Sequence, residues 1–166
     1  MFVRTASSRD LPAIRALLVE TWHDTYDAIY GKDRVTQIND VWHSTASLGG
    51  RLSLPRSEFL VADDGSMIGG MAFATAEDEG KTLVLQQLYV APSCQGQGIG
   101  GLLLDEVESC FPEAGTVRLL VEERNAKAVS FYLEQGFSQV GKIDQDVVGG
   151  PSEPALILER PIIWAD

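Results

Sequence analysis

A glycine-rich run at Gln95–Gly101 constrains the fold of this chain more than any other segment does. It follows an apolar segment, Thr82–Val90, that is typical of a strand, and it leads into an amphipathic helical pattern that continues to Phe111. Glycine lets backbone N–H groups approach a ligand without a Cβ atom in the way, and a helix N-terminus carries about half a positive charge. A strand, a glycine loop and a helix in this order indicate a site for a phosphate or pyrophosphate group. Because the run contains no Lys or Arg, backbone donors would bind that group.

Two well-known phosphate-binding motifs must be compared with this loop. Gly96-x-Gly98-x-x-Gly101 formally matches the dinucleotide fingerprint, and Glu122 follows at about the distance of a ribose-binding acid. However, Ala91–Gln95 separates the strand from the first glycine, and the chain lacks the repeated parallel βαβ units of such folds. A nicotinamide enzyme is therefore disfavoured. A P-loop is excluded because no Gly-Lys-Ser or Gly-Lys-Thr is present.

The remaining patterns predict a mixed α/β fold of the α+β type. Before the glycine run, a short strand is followed by two helices, the second ending at Gly49-Gly50, and then by three strands that form an antiparallel meander. After it, Asn125 is placed to cap a helix between strands. The predicted order is β-α-α-β-β-β-α-β-α-β-β, a mostly antiparallel sheet of about six to seven strands with helices on both faces. With 166 residues and no repeat or linker, one domain over residues 1–166 is expected.

The composition narrows the range of partners. Thirteen Lys and Arg against 24 Asp and Glu give a formal net charge of −11, and no basic patch is present, so nucleic acid is not expected as a partner. No run approaches the ~20 apolar residues that span a bilayer, so no membrane association is expected and a cytoplasmic location is the default. Cys94 and Cys110 lack the spacing of a zinc site, and no metal is expected.

Three segments resemble the GNAT superfamily of N-acetyltransferases. Gln95-Gly96-Gln97-Gly98-Ile99-Gly100 is similar to the family's acyl-CoA signature, although Gln95 replaces the more usual Arg and removes one cationic phosphate contact. Leu88–Pro92 resembles the strand end that precedes this signature, and Asn125–Phe137 resembles the family's second marker. The resemblance covers roughly the last two-thirds of the chain, and the two markers in this order are specific.

The resemblance implies direct transfer of an acetyl group from acetyl-CoA, the co-substrate, to an amine acceptor. It places the pantetheine arm in a gap between the strands at Thr82–Val90 and Val117–Val121, and the pyrophosphate on the glycine loop. Tyr132 matches the acid that protonates the departing thiolate, although periodicity alone explains it equally well as a core aromatic residue. The implied cofactor-binding residues are Leu88, Tyr89, Val90, Gln95, Gly96, Gln97, Gly98, Ile99, Gly100 and Asn125.

The general base stays open at this point. Many relatives place a Glu on the last strand of the meander, where this chain has Gln86 and Gln87, and an amide cannot usefully accept a proton. The missing carboxylate leaves a second hypothesis, a non-catalytic module that senses acyl-CoA. The alternative bases are a water chain or one of four side chains: Glu122, Glu123, His23 and His43.

The sequence does not identify the acceptor. Tyr26 and Tyr30, one helical turn apart, could line the acceptor groove, whereas Trp22 and Trp42 are expected in the core. The acidic charge favours polyamines, aminoglycosides or basic peptides. The apolar last strand, Ala155–Leu158, could pair across a two-fold axis in a homodimer.

Overall fold

A computed structural model describes residues 1–164 of the chain. Its helices are α1 (Leu11–Tyr30), α2 (Lys32–Trp42), α3 (Thr45–Leu52), α4 (Ile99–Ser109) and α5 (Ala126–Glu134). Its strands are β1 (Phe2–Thr5), β2 (Ser57–Asp63), β3 (Ile68–Glu77), β4 (Thr82–Val90), β5 (Thr116–Glu122), β6 (Ser138–Gln145) and β7 (Glu153–Pro161). Within this described part, no helix has both the length and the apolar character needed to cross a membrane.

The strands form one seven-stranded sheet in the order β1-β2-β3-β4-β5-β7-β6. Neighbouring strands pair antiparallel except for β4 and β5, which run parallel. The helix α4 makes the crossover between these two strands, since a parallel pair cannot be joined by a tight turn. The predicted mixed, mostly antiparallel sheet is confirmed.

The parallel pairing of β4 with β5 is short. It extends from Thr82 opposite Thr116 to Leu85 opposite Leu119. Beyond that point β4 continues to Val90, and within residues 1–164 its pairing with β5 does not resume. The two strands therefore enclose a wedge-shaped gap, which we call the cleft.

A bulge lies in β4 where the cleft begins. Phe73 pairs with Gln87 and Ala74 pairs with Leu85, so Gln86 is an extra residue on β4. A bulge of this kind bends the strand and changes the direction of the following backbone groups. The bulge thus separates the paired half of β4 from the half that borders the cleft.

Helices cover both faces of the sheet, as predicted. On one face α4 lies so close to β3 that a Cβ atom on Gly70 would come within 2.9 Å of Leu103. On the opposite face the Arg51 guanidinium of α3 lies 5.9 Å from the centre of the Phe73 ring. Because successive strand residues point to opposite faces, these two contacts assign α4 and α3 to different sides. The most deeply buried side chains include Ile14, Leu18, Leu48, Leu103, Val117 and Leu158.

The predicted element order missed one helix. The second helix ends at Trp42, and the Ser44 hydroxyl then accepts a hydrogen bond from the Ser47 amide (3.1 Å) at the start of α3. Gly49-Gly50 lies inside α3 rather than at a helix end. The prediction that these glycines terminate a helix was wrong, because the serine cap and the fully buried Leu48 hold a further turn in place.

The prediction for the last strand also needs correction. Strand β7 pairs with β5 on one side and with β6 on the other, so both of its edges are occupied. Residues Ala155–Leu158 therefore cannot pair across a two-fold axis. The outer strand at this end of the sheet is β6, which follows α5 in the chain but lies beyond β7 in space.

Candidate active site

A cavity of about 700 Å³ occupies the cleft. Its size is in the usual range of small-molecule sites, roughly 300–1,000 Å³. Residues from β3, β4 and β5 line it, together with residues from α1, α3 and α5. All four tyrosines of the chain are in its wall: Tyr26, Tyr30, Tyr89 and Tyr132.

The glycine loop lies at the start of α4, where it was predicted. Gly96 (φ 79°) and Gly98 (φ 80°) adopt the left-handed conformation that favours glycine, and a Cβ atom on either would meet no atom within 4 Å. No side chain among residues 1–164 caps this helix, and Leu102 is the residue whose amide bonds back to the Gly98 carbonyl (3.1 Å). The preceding amides of the first turn stay free for a ligand. An open loop with free N–H donors fits a pyrophosphate.

Gln95 and Gly100 connect the loop to its neighbours. The Gln95 amide nitrogen donates to the Val90 carbonyl at 3.1 Å, which joins the loop to the end of β4. A Cβ atom on Gly100 would lie 3.1 Å from the Phe131 ring, so glycine here permits close packing of α5 on α4. Ile99 is buried and anchors the first turn. These contacts hold Gly96, Gln97 and Gly98 as the exposed part of the loop.

The cofactor residues predicted on β4 border the cleft. Leu88 pairs with Ala72 and Tyr89 pairs with Met71, both on β3, while the opposite edge of β4 has no strand partner among residues 1–164. An extended ligand can add to such an edge as a further strand. The Tyr89 ring lies 6.1 Å from Trp22 and contributes to the cavity wall.

Tyr132 lies on α5 at the wall of the cavity. It is 8% exposed, and its ring packs edge-on against Phe131 (5.2 Å) and Phe137 (5.5 Å). Burial, and to a smaller extent the nearby Tyr26, raises the pKa of Tyr132 above its usual value of about 10. The phenol therefore keeps its proton at neutral pH and can donate a hydrogen bond into the cavity.

Asn125 makes two hydrogen bonds at the start of α5. Its side-chain oxygen accepts from the Ala128 amide at 3.2 Å, which confirms the predicted helix cap. Its side-chain nitrogen donates to the Tyr26 hydroxyl at 3.1 Å. Burial raises the pKa of Tyr26 to about 12, although the Asn125 bond acts in the opposite direction. Asn125 thus joins α5 to α1 across the cavity, and its contact with the cofactor stays a prediction.

Glu122 lies at the end of β5 and is 4% exposed. One carboxylate oxygen accepts from the Tyr30 hydroxyl at 2.5 Å. The other accepts from the backbone amide (3.2 Å) and the side chain (3.1 Å) of Arg124. Burial, followed by the Glu122 bond, raises the pKa of Tyr30. Tyr30 also stacks on Tyr26 at 5.2 Å, so both predicted groove residues lie in the cavity wall.

Glu122 belongs to a larger charged network. Arg124 and Arg34 both donate to Glu153 at the start of β7. We call Tyr30, Glu122, Arg124, Glu153 and Arg34 the arginine–carboxylate network. Arg34 further donates to three backbone carbonyls of the β6–β7 loop, those of Val147, Val148 and Pro151.

The other candidate general bases differ in whether they reach the cavity. His43 is 1% exposed and lies in the cavity wall, with Nδ1 2.7 Å from the Asn39 side-chain oxygen. Burial, followed by the charges of Arg51 and Arg15, lowers the pKa of His43 to about 3, so the ring is neutral at neutral pH. His23 and Glu123 do not contribute to the cavity wall described for residues 1–164. They bond instead to Asp27 (2.6 Å) and Lys142 (3.0 Å), respectively.

The two glutamines of β4 also reach the cavity. The Gln86 side chain donates to the Thr75 hydroxyl at 3.2 Å. The Gln87 side-chain oxygen is buried and has no hydrogen-bond partner within the described chain. No set of three or more His, Cys, Asp or Glu side chains in residues 1–164 is arranged to hold a metal ion.

The sequence patterns did not find the arginine–carboxylate network or Arg51. Tyr30 and Glu122 are 92 residues apart, and no local spacing connects them. Arg51 lies in a cavity wall although it follows a glycine pair that suggested a helix end. The glycine pair Gly149-Gly150 was a signal in the sequence for a close approach of another group to this loop. A Cβ atom on Gly150 would come within 2.7 Å of the Arg34 guanidinium.

Comparison with known proteins gives consistent matches. Residues 55–139 match the family model described as "Acetyltransferase (GNAT) domain". The chain is 28% identical to the peptidyl-lysine N-acetyltransferase YiaC of Escherichia coli (strain K12), over 97% of each chain. It is also 28% identical to a spermidine N(1)-acetyltransferase of Thermoplasma acidophilum, covering 81% of this chain and 86% of the relative. Among solved structures, the PaiA N-acetyltransferase from Thermoplasma acidophilum in complex with coenzyme A superposes with a TM-score of 0.83 and 25% identity, covering 97% of this chain and 98% of that one.

Proposed function

The chain belongs to the GNAT family of acetyltransferases, and from this premise we propose that it transfers the acetyl group of acetyl-CoA directly to a primary amine. The strongest support is the cleft between β4 and β5, where the unpaired edge of β4 borders a cavity lined by the four tyrosines. The glycine loop is joined to the far end of the same strand by the bond from Gln95 to Val90. A bound coenzyme A in a structural neighbour of 25% identity supports the choice of cofactor. The names of two relatives, a peptidyl-lysine and a spermidine acetyltransferase, support an amine acceptor.

The cofactor would be held mainly by backbone groups. When bound, acetyl-CoA supplies an acetyl thioester, whose carbonyl carbon an amine can attack. Residues Gln95–Gly100 would bind the pyrophosphate, through the free amides of Gly96–Gly100, because the Gln95 amide already donates to the Pro92 carbonyl. The main chain of Leu88–Val90 would bind the pantetheine arm. A backbone N–H near the bulge at Gln86 would donate to the oxygen on which negative charge develops, an effect worth a few kcal/mol in acyl transfer.

Tyr132 would act on the departing sulfur. Its hydroxyl keeps its proton because burial raises the pKa of the phenol. An ordinary thiol has a pKa of about 8.5, lower than that of this tyrosine, so complete proton transfer from the phenol is uphill. The main contribution of Tyr132 would therefore be a hydrogen bond that stabilises the thiolate as it forms. The packing of Phe131 and Phe137 around the ring would fix the direction of this bond.

Glu122 is the base that the geometry favours. Glu122 and His43 both line the cavity, but proton uptake by the buried His43 ring would create a cation that burial and two nearby arginines disfavour, whereas proton uptake by the Glu122 carboxylate removes a charge. A carboxylate has about four lone-pair positions, and three are used by Tyr30 and Arg124. The remaining position would accept the amine proton, directly or through water, which is the role that Gln86 and Gln87 cannot fill.

The proposal is tested by two measurements on the purified chain. Calorimetry should detect saturable binding of acetyl-CoA. A screen over amines, including spermidine and a lysine peptide, should then show release of free thiol that depends on the amine. Absence of acetyl-CoA binding to folded protein would contradict the proposal. Binding without thiol release on any amine would favour the acyl-CoA sensor instead.

A further inference from the structure

Lys127 is a cationic side chain that lies against the glycine loop. Its ammonium group donates a hydrogen bond to the side-chain oxygen of Gln95. The nitrogen of the same Gln95 amide donates to the Val90 carbonyl at 3.1 Å. Gln95 therefore connects Lys127 to the end of β4, and the positive charge is held beside the free amides of the loop.

The position of Lys127 is electrostatically unfavourable in the isolated chain. It is the second residue of α5, and a helix N-terminus disfavours a cation. Lys127 is not part of any ion pair found in residues 1–164, and its partner Gln95 is a neutral amide. The chain has 24 Asp and Glu residues, and none of those in residues 1–164 forms an ion pair with Lys127. An anionic ligand bound at the loop would offset the unfavourable electrostatic energy of Lys127 at this helix N-terminus.

The contacts of α5 explain why Lys127 stays near the loop. Residues four apart lie on the same side of a helix. Phe131 packs against the Gly100 position, and Gln135 lies 3.8 Å from where a Cβ atom on Gly101 would be. Lys127, Phe131 and Gln135 thus form one ridge along the loop and the first turn of α4. The contacts of Phe131 and Gln135 hold α5 against the loop without the lysine side chain.

We propose that Lys127 binds the pyrophosphate of CoA and supplies the cation that Gln95–Gly101 lacks. This inference rests on the proposed function, because it assumes that CoA is the ligand of the loop. The ligand is a polyanion and the chain has a net charge of −11, so a local cation offsets an unfavourable overall field. On binding, the ammonium group would exchange the Gln95 oxygen for a phosphate oxygen. Gln95 would keep its bond to Val90.

The test compares two ligands on the wild-type chain and on Lys127→Gln. The dissociation constant for CoA should rise about tenfold in the variant, as expected for the loss of one charge-assisted hydrogen bond in a partly exposed site. Dephospho-CoA retains the pyrophosphate but lacks the 3′-phosphate, so its dissociation constant should rise by the same factor. A rise for CoA alone would assign Lys127 to the 3′-phosphate and overturn the proposal. Unchanged affinity for both ligands would also overturn it.

A matched control separates the local contact from net charge. Lys81 is exposed and precedes β4, whereas Gln95 follows its far end, about 30 Å away at 3.3 Å per residue. Lys81→Gln removes the same charge and should leave the affinity for both ligands unchanged. If it weakens CoA binding as much as Lys127→Gln does, the effect comes from overall charge and the proposal is wrong.

A rescue experiment tests the position of the cation. Gln95 and Lys127 are in contact, so an arginine at position 95 would bring its charge to the same place. The double variant Gln95→Arg/Lys127→Gln should recover most of the lost affinity, and a double variant no tighter than Lys127→Gln would contradict the proposal. The outcome remains distinct from the proposed function. If the wild-type chain does not bind CoA, the proposed function fails, whereas binding that Lys127→Gln leaves unchanged removes only the role of Lys127.

Discussion

At the scale of single residues, burial decides which side chains in the cleft carry a proton at neutral pH and which do not. The phenol of Tyr132 is enclosed by Phe131 and Phe137, and its raised pKa makes it a hydrogen-bond donor. His43 is enclosed as deeply, but burial and two arginines keep its ring neutral. The same low-dielectric surroundings thus preserve a donor on α5 and remove a cation near α3.

Tyr132→Phe should separate catalysis from binding. The variant loses the hydroxyl and keeps the ring between its two aromatic neighbours, so acetyl-CoA affinity should change little. Turnover should fall about 100-fold or more, the usual cost of removing a positioned hydrogen-bond donor to a developing negative charge. Steady-state kinetics and calorimetry on the same preparation check both values. Small and equal effects on turnover and affinity would return Tyr132 to a purely structural role.

His43 should make the chain sensitive to mild acid. An unfolded histidine has a pKa of about 6.5, whereas burial lowers the pKa of His43 to about 3 in the folded chain. Between these values the unfolded chain binds a proton that the folded chain does not, so stability falls as the pH falls from about 6.5 towards 3. The melting temperature should therefore drop on acidification, and His43→Gln should reduce that drop. Identical pH profiles for the two proteins would contradict this expectation.

Residues in local motifs could be predicted from the sequence, and residues joined across the fold could not. Asn125 stands three positions before the amide that it caps, so the local sequence was sufficient to predict this helix cap. Glu122 was recognised as a candidate, yet its bond to Tyr30 depends on how α1 meets β5. Lys127 offers an intermediate case, because a lysine in the first turn of a helix contradicts the local electrostatic preference and could have been noticed.

At the scale of elements, the meander and the strand–loop–helix segment carried strong sequence signals. Turn residues between apolar segments predict strands over residues 58–63, 67–76 and 82–90, close to the observed limits of β2, β3 and β4. The sequence did not reveal α3, because its start depends on a serine cap and its interior contains two glycines. Nor did it reveal that β7 is an inner strand, since strand order is set by long-range pairing.

The glycine pair within α3 gives a prediction of increased stability. Gly50 is exposed in the helix, and a Cβ atom there would meet no atom within 4 Å. Gly50→Ala should therefore raise the free energy of unfolding by about 0.5–1 kcal/mol, because alanine restricts the unfolded chain and favours the helix. Urea unfolding measures the change.

Gly98→Ala is the contrasting variant. Space around its Cβ position is equally open, but Gly98 has a φ of 80°, so alanine should cost about 1 kcal/mol of strain. It should also weaken CoA binding, because Gly98 precedes the free amides of α4. If both alanine variants change stability in the same direction, backbone conformation is not the deciding factor.

At the scale of the whole molecule, the arginine–carboxylate network joins parts that are far apart in the chain. It connects the end of α1 and the start of α2 with β5 and β7. Arg34 also holds the β6–β7 loop through three carbonyls. The cavity is lined by Gln145, the last residue of β6, and by Asp146, the first residue of that loop. The shape of the cavity near Tyr30 and Asp146 thus depends on contacts that no single element contains.

Arg34→Gln should loosen the cavity wall near Tyr30, where the proposed acceptor would bind, and spare the proposed cofactor site. Arg34 and Glu153 are both largely buried, so the loss of their ion pair should cost about 2–3 kcal/mol of stability. Hydrogen exchange should become faster at residues 147–150, and the KM for the amine should rise. The affinity for CoA should stay close to that of the wild type, and a comparable loss of CoA binding would show that the network also supports the cofactor site.

The short pairing between β4 and β5 has a consequence for the resistance of the protein to proteolysis. The sheet consists of a four-stranded and a three-stranded part that pair only from Thr82 to Leu85 within residues 1–164. A cofactor lying in the cleft would contact both parts of the sheet and so stabilise the closed sheet relative to partly opened forms. At a hundredfold excess over its dissociation constant, such a ligand adds about 2.7 kcal/mol to stability. Resistance of the chain to proteolysis should then rise with the concentration of acyl-CoA.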